Sequence, residues 1–250
     1  MRKIRRYLSF LLLIILCVSF FLRKNIHSVT EIHPLLFEQP LQETLRISEP
    51  FEFQQKGYLY RLTPLYDYEI AALIVSKIDY SIFSIYKYES IFSVDLCLVW
   101  GENLVRRLHQ NDALSFKQDC RWCWAYWKKD IGFNMKEFAN THLLITDPKI
   151  ERKVDGLLAG DQVIVKGKLV DVEADLVAKK DDFTPTHISW STSESREDTG
   201  AGSCEVLYVE DVVVLKRGNP VFRWLYIISA CGLALIIAWN IINFFRKDSY

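Results

Sequence analysis

The stretch GDQVIVKGKLVDV, Gly160 to Val172, decides what kind of domain this chain builds. Val163 and Val165 alternate with polar neighbours, the period of two that places successive side chains on opposite faces of a strand. Gly167 interrupts the run, and a glycine inside a strand marks a bulge or a sharp bend. Downstream, Lys179 to Ser203 is polar, rich in Ser, Thr, Glu and Asp, and predicts a long loop or hairpin tip. Val206 to Leu215 predicts a closing strand.

Upstream of Gly160, the Asn134-Met135-Lys136-Glu137 run places a capping Asn three residues before a Glu. With Met135, Phe138 and His142 at spacings that share a face, it predicts a short helix. Ile82 to Trp100 is β-branched and aromatic and predicts a strand pair closed by Gly101. Gly57 to Ile78 opens with alternating Tyr58, Tyr60 and Leu62, passes Pro64, and enters the apolar run Ile70 to Val75; a helix over Tyr66 to Lys77 fits as well. Residues 25–56, punctuated by Pro34, Pro40 and Pro50, predict an extended linker that lifts the domain off a membrane. The bent strand of residues 160–172 resembles the first strand of OB-type barrels, and that resemblance, confined to this stretch, implies a small closed barrel.

Outside this domain the chain changes character. Val221 to Phe245 carries one charge, Arg223, and exceeds the roughly 20 apolar residues that a membrane-spanning helix needs. Residues 7–22 form a second apolar run behind the basic residues Arg2, Lys3, Arg5 and Arg6, read as an uncleaved signal anchor in preference to a cleaved signal peptide. The basic bias puts residues 1–6 in the cytoplasm, and two spans return the tail, residues 246–250, to the same side. The expected organisation is a β-rich α+β domain, OB-like, of residues 57–215, between two transmembrane helices and outside the cytoplasm of a bacterial inner membrane.

The formal charge is zero but unevenly spread: residues 25–215 hold 20 Lys and Arg against 30 Asp and Glu, while the flanks hold the other 11 bases and one acid. An acidic domain lacks the basic footprint that phosphate binding needs, so nucleic acid is not an expected partner. The lipid bilayer and a protein partner are. No Gly-rich phosphate loop, His-Glu-x-x-His or Gly-x-Ser-x-Gly is present, and neither a cofactor nor a metal is expected.

Four cysteines fall in the domain: Cys97, Cys120, Cys123 and Cys204. In an oxidising compartment these are read first as disulfide candidates. Cys120-Arg121-Trp122-Cys123 has the spacing of a thiol redox pair, although the strand-to-helix setting of such pairs is missing. Trp122, Trp124 and Trp127, interleaved with Lys128 and Lys129, form the one basic aromatic patch: core packing first, a membrane or partner interface second. His142 precedes an apolar run and would become an acid-base group beside Asp95, Glu102 or Arg196. Asp198-Thr199-Gly200-Ala201 has the letters of an aspartic-protease site, but the preceding Arg196 and Glu197 favour a turn. The expected function is a membrane-anchored interaction or assembly module. Its alternative is an envelope enzyme, either a thiol oxidoreductase at Cys120 and Cys123 or a hydrolase around His142.

Overall fold

Tyr58–Asp79 is one continuous strand, and the sheet is built around it. The computed structural model describes residues 2–45, 49–55, 57–80, 92–119, 121–177, 186–195, 197–198 and 203–247. In chain order the elements are α1 (Arg2–Leu22), β1 (Leu41–Thr44), β2 (Phe51–Gln55), β3 (Tyr58–Asp79), β4 (Val94–Val99), α2 (Glu102–Val105), β5 (Leu114–Asp119) and β6 (Trp122–Trp127). They continue with β7 (Phe138–Leu144), α3 (Pro148–Asp155), β8 (Gln162–Leu176), β9 (His187–Trp190), β10 (Glu205–Lys216) and α4 (Pro220–Lys247). The result is a β-rich α+β domain with a mixed sheet, flanked by an apolar helix at each end.

The pairings run β3 to β4 to β7 to β10 to β8, and β8 pairs again with β3, so five strands close a ring. Only β7 and β10 are parallel within it. Alternate residues of each strand meet in one buried cluster, including Ile70, Ala72 and Ile74 of β3, Leu96 and Leu98 of β4, Leu143, Val165 and Leu207. Ile150 and Val154 of α3 join that cluster. Their side chains lie four residues apart on one helix face, which is why so short a helix packs at all.

The helix reading of Tyr66 to Lys77 fails. Tyr68, Ile70, Ala72 and Ile74 are buried at every second position, and β3 is paired on both sides. Pro64 donates no hydrogen bond, and the β3–β8 register shifts between Pro64 and Tyr66, which lets the strand continue past it. The Asn134 turn is a correction too: its side chain caps Lys136 N, but only Met135–Glu137 is a 3-10 turn. Phe138 to Leu144 is drawn into β7, between β4 and β10, so His142 belongs to a strand.

The described residues between 25 and 55 do not form a free linker. Ile26–Ser28 and Pro34–Phe37 are 3-10 turns, and Leu36 is fully buried with Val75, Cys97 and Val99 against the outer face of the sheet. β1 and β2 both pair with β3. The prolines that suggested extension instead stand where short pieces of bonded structure begin: Pro34 opens a 3-10 turn, Pro40 precedes β1 and Pro50 precedes β2. Gly160 to Val172 forms most of β8, the fourth ring strand in chain order rather than the first. At Gly167 an added Cβ would lie 2.0 Å from Tyr208 O, and the β10 register shifts between Val209 and Asp211 opposite it.

Both terminal helices are long and apolar enough to cross a membrane, and only 6% of each apolar window is buried. They pack on each other. Phe20 and Tyr226 rings lie 6.1 Å apart, the Arg23 guanidinium lies 3.7 Å from the Tyr226 ring centroid, and Gly232 admits Leu12 where a Cβ would approach it to 3.0 Å. The pair is locked to the domain by Asp161, which is fully buried. Its carboxylate receives Arg217 Nη1 at 3.0 Å, Arg223 Nη2 at 2.7 Å and Gly218 N at 2.8 Å. Asn219 adds a bond from Nδ2 to Asn25 O at 2.8 Å, joining the end of α1 to the start of α4.

Replacing Gly167 with Ala should therefore destabilise the domain by at least about 2 kcal/mol, the cost of forcing a close backbone approach apart. Denaturant unfolding of the full chain in detergent, followed by tryptophan fluorescence, measures it; a change within 0.5 kcal/mol (roughly the scatter of a surface substitution) would disprove the crossing geometry.

Candidate functional site

The residues with chemical potential gather on the outer face of β4 and β7. Asp95 is directly opposite His142, and Cys97 is opposite Asn140, so the four side chains share one face. The parallel pairing of Val206 with His142 brings Cys204, two residues earlier, beside them. The β5–β6 hairpin covers this face. Cys97 and Cys123 lie at disulfide distance, Cα to Cα 6.1 Å, and so tie the hairpin to β4.

Asp95 is completely buried and organises what surrounds it. Its Oδ1 receives Arg121 Nη1 at 3.0 Å and lies 2.9 Å from His142 Nδ1; its Oδ2 accepts from the Tyr80 hydroxyl at 3.0 Å. The His142 approach is a charge contact, not an aligned hydrogen bond. Arg121 also donates to Phe92 O, and its guanidinium lies 3.8 Å from the Tyr80 ring centroid. Phe92 stacks on the His142 ring at 5.3 Å, and Trp190 meets it edge-on at 5.3 Å. Burial pushes the His142 pKa down, but the Asp95 carboxylate and the Cys204 sulfur push it up by more, to about 9. Burial and the neighbouring Asp95 charge raise the Tyr80 hydroxyl.

Above this layer lies a groove of about 310 Å³ lined by Trp122, Trp124, Trp127, Asn140, Cys204 and Glu205, among others. Trp122 and Trp124 stack with ring centroids 6.3 Å apart, and Trp122 is exposed. Lys117 sits over Trp124, and Lys136 pairs with Glu197 at the groove's edge. Cys204 is a free, partly exposed thiol, and Asn140 Nδ2 approaches its sulfur at 3.8 Å.

Of the predicted site residues, the fold assembles His142, Asp95, Cys97, Cys123 and Cys204. Glu102 stands apart at the exposed start of α2. Cys120 and Arg196 lie outside the described residues, as do Thr199 to Ala201. Asp198 accepts from Ser193 Oγ at 2.6 Å, the local bonding of a turn. Cys123 faces Cys97, so the Cys120 and Cys123 spacing does not describe its bonding. Trp122, Trp124 and Trp127 sit on β6, and Lys128 and Lys129 are exposed just beyond it. Arg121 was missed as a site residue: its backbone φ of 69° turns the hairpin, at a position where no glycine signals it. Among the described residues no group of three or more metal-ligating side chains is arranged around an ion.

No protein family, curated protein or solved structure matches the chain. Fold and site together define a class only: a β-rich α+β domain between two apolar helices, with an aromatic groove over a buried charged layer.

Two outcomes follow. The unfolded His142 has a pKa near 6.5 and the folded one is raised to about 9. Its stabilisation is thus complete below about pH 6.5 and is lost as pH rises through about 9. Melting curves at pH 6, 7.5 and 9 should show that decline, and His142→Gln should abolish it. Second, Cys97 and Cys123 are 26 residues apart, so Cys97→Ser with Cys123→Ser should remove about 3 kcal/mol of stability. Non-reducing peptide mapping checks the bond, and melting with and without reductant checks its effect.

Proposed function

We propose that the protein is a membrane-anchored interaction module whose aromatic groove, on the β5–β6 hairpin, receives a segment of a partner protein. The stacked pair of exposed Trp122 and half-buried Trp124, with exposed Trp127 on the same groove, carries this reading, because tryptophans at an open concavity are the residues that dominate protein interfaces. The charged groups nearest the groove are largely committed to internal partners: Lys136 to Glu197 and Asp198 to Ser193. That leaves the aromatic wall as the recognition surface.

The domain is proposed to be OB-like. Five strands closing on themselves with a single parallel pair, and α3 inserted between the third and fourth of them, support that reading. The two apolar helices are proposed to cross a bacterial inner membrane as a multi-pass pair, with residues 57–215 on the outer side. The basic N-terminus supports that orientation, and a disulfide between Cys97 and Cys123 suits an oxidising compartment. The thiol oxidoreductase alternative loses support, because Cys123 is placed with the buried Cys97.

A photoreactive amino acid at Trp122 or Trp124 should cross-link in the native membrane to one discrete protein. The same group at Arg61, an exposed residue of β3, should not. Trp124→Ala should cut the Trp122 cross-link at least about tenfold, the loss of one aromatic anchor. Equal cross-linking from Arg61 and Trp122 would refute a groove-specific partner.

A further inference from the structure

The junction between the domain and its two apolar helices holds more positive charge than the fold itself answers. From Trp224 to Phe245 α4 carries no charge and rises roughly 33 Å, close to the ~30 Å of a bilayer's hydrocarbon core. Arg223 therefore stands at the edge of that core, with Tyr226 one turn deeper on the same helix face. α1 ends at Leu22, and the Arg23 guanidinium that follows lies 3.7 Å from the Tyr226 ring centroid, at the same level. Lys24 is next in the chain and exposed, with Nζ 5.6 Å from the Phe20 ring centroid. Exposed Trp224 adds an aromatic side chain of the kind that marks a membrane–water boundary.

Five cations gather here: Arg23, Lys24, Lys77, Arg217 and Arg223. Asp161 answers Arg217 at 3.0 Å and Arg223 at 2.7 Å. Lys77 donates to Val154 O and Asp155 O, and the carboxylates of Asp79, Asp155 and Asp161 all act on its charge. Three acids against five bases leave two cations over. Those two are Arg23 and Lys24, neither of which is ion-paired with a described carboxylate. Arg23 Nε is moreover buried with no hydrogen-bond partner among the described residues. Stacking occupies the face of a guanidinium and leaves the N–H groups at its edge for an acceptor. Surplus charge and open donors call for an anion, and at this depth a bilayer offers phosphate.

We propose that Arg23 and Lys24 bind the phosphate of one anionic phospholipid in the leaflet next to the domain, with an acyl chain lying along the seam where Phe20 meets Tyr226. Arg23 supplies a planar fork for two phosphate oxygens, and Lys24 a point charge beside it. A zwitterionic headgroup would bring its own ammonium towards the surplus cations, so a headgroup of net negative charge is preferred. The site rests on the bilayer-spanning reading of α1 and α4, and is independent of what the tryptophan groove receives.

The test is native mass spectrometry of the full chain in detergent, titrated with phosphatidylglycerol or phosphatidylcholine of the same acyl chains. One phosphatidylglycerol should bind at least about tenfold more tightly than phosphatidylcholine, and excess inorganic phosphate should not displace it. Arg23→Gln with Lys24→Gln should erase that preference. Lys24→Gln alone, at an exposed side chain whose loss leaves the fold intact, should weaken phosphatidylglycerol about fivefold. Lys3→Gln with Arg6→Gln, at the far end of α1, should leave it unchanged. Equal affinity for the two lipids, displacement by phosphate, or a loss seen in the Lys3 and Arg6 variant instead overturns the proposal. Alkaline carbonate washing of native membranes separates the two readings: release of the chain would refute the spanning helices, whereas a retained chain without the lipid preference would refute this site alone.

Discussion

The buried carboxylate of Asp95 is the constraint on which the outer face of this sheet depends. It sits in the apolar strand Val94–Val99 with no exposed surface. A charge taken out of water without a partner costs several kcal/mol, so the strand tolerates it only with a cation in place. Arg121 supplies that cation, and its position is over-determined: the backbone N donates to the Tyr80 hydroxyl, the carbonyl accepts from Asn140, and the guanidinium reaches Phe92 O. Arg121 is also where the chain turns into β6. The carboxylate therefore fixes the place at which the β5–β6 hairpin meets the sheet, and the Cys97 to Cys123 contact fixes it again from the other side. The tryptophans of the groove inherit their geometry from these two anchors.

Asp161 applies the same physics at the junction with the apolar helices. One buried carboxylate serves Arg217, Arg223 and the backbone N of Gly218, and an added Cβ on Gly218 would meet the Gly160 carbonyl carbon at 2.5 Å. Charge and steric fit together leave little freedom for α4 to pivot relative to β8. Residues 26–37, packed on the sheet, tie α1 to the same body. The groove is thus held in a fixed orientation to the helix pair, unlike a domain on a flexible tether.

Much of this was legible in the residues. Period two at Val163 to Val172 and Val206 to Leu215, the apolar lengths of the two end helices and the bend at Gly167 all survive into the structure, because each rests on local sterics or on length alone. What the chain concealed is non-local. Residues 66–77 and 138–142 carry helical spacings that pairing on both strand edges overrides. Pro34 and Pro40 read as extension, whereas burial of Leu36 decides their packing. Asp95 enters the sequence reading only as one of three possible neighbours of His142, and nothing in a sequence says that its cation is 26 residues away at Arg121.

Charge balance explains why the buried layer is more than a structural clasp. Asp95 Oδ1 faces two groups at once, the Arg121 guanidinium at 3.0 Å and His142 Nδ1 at 2.9 Å. Burial alone would push the His142 pKa down, yet its neighbours, Asp95 first among them, turn the shift upward to about 9. A carboxylate recruited to hold a hairpin in place therefore also sets the protonation of the ring opposite it on β7.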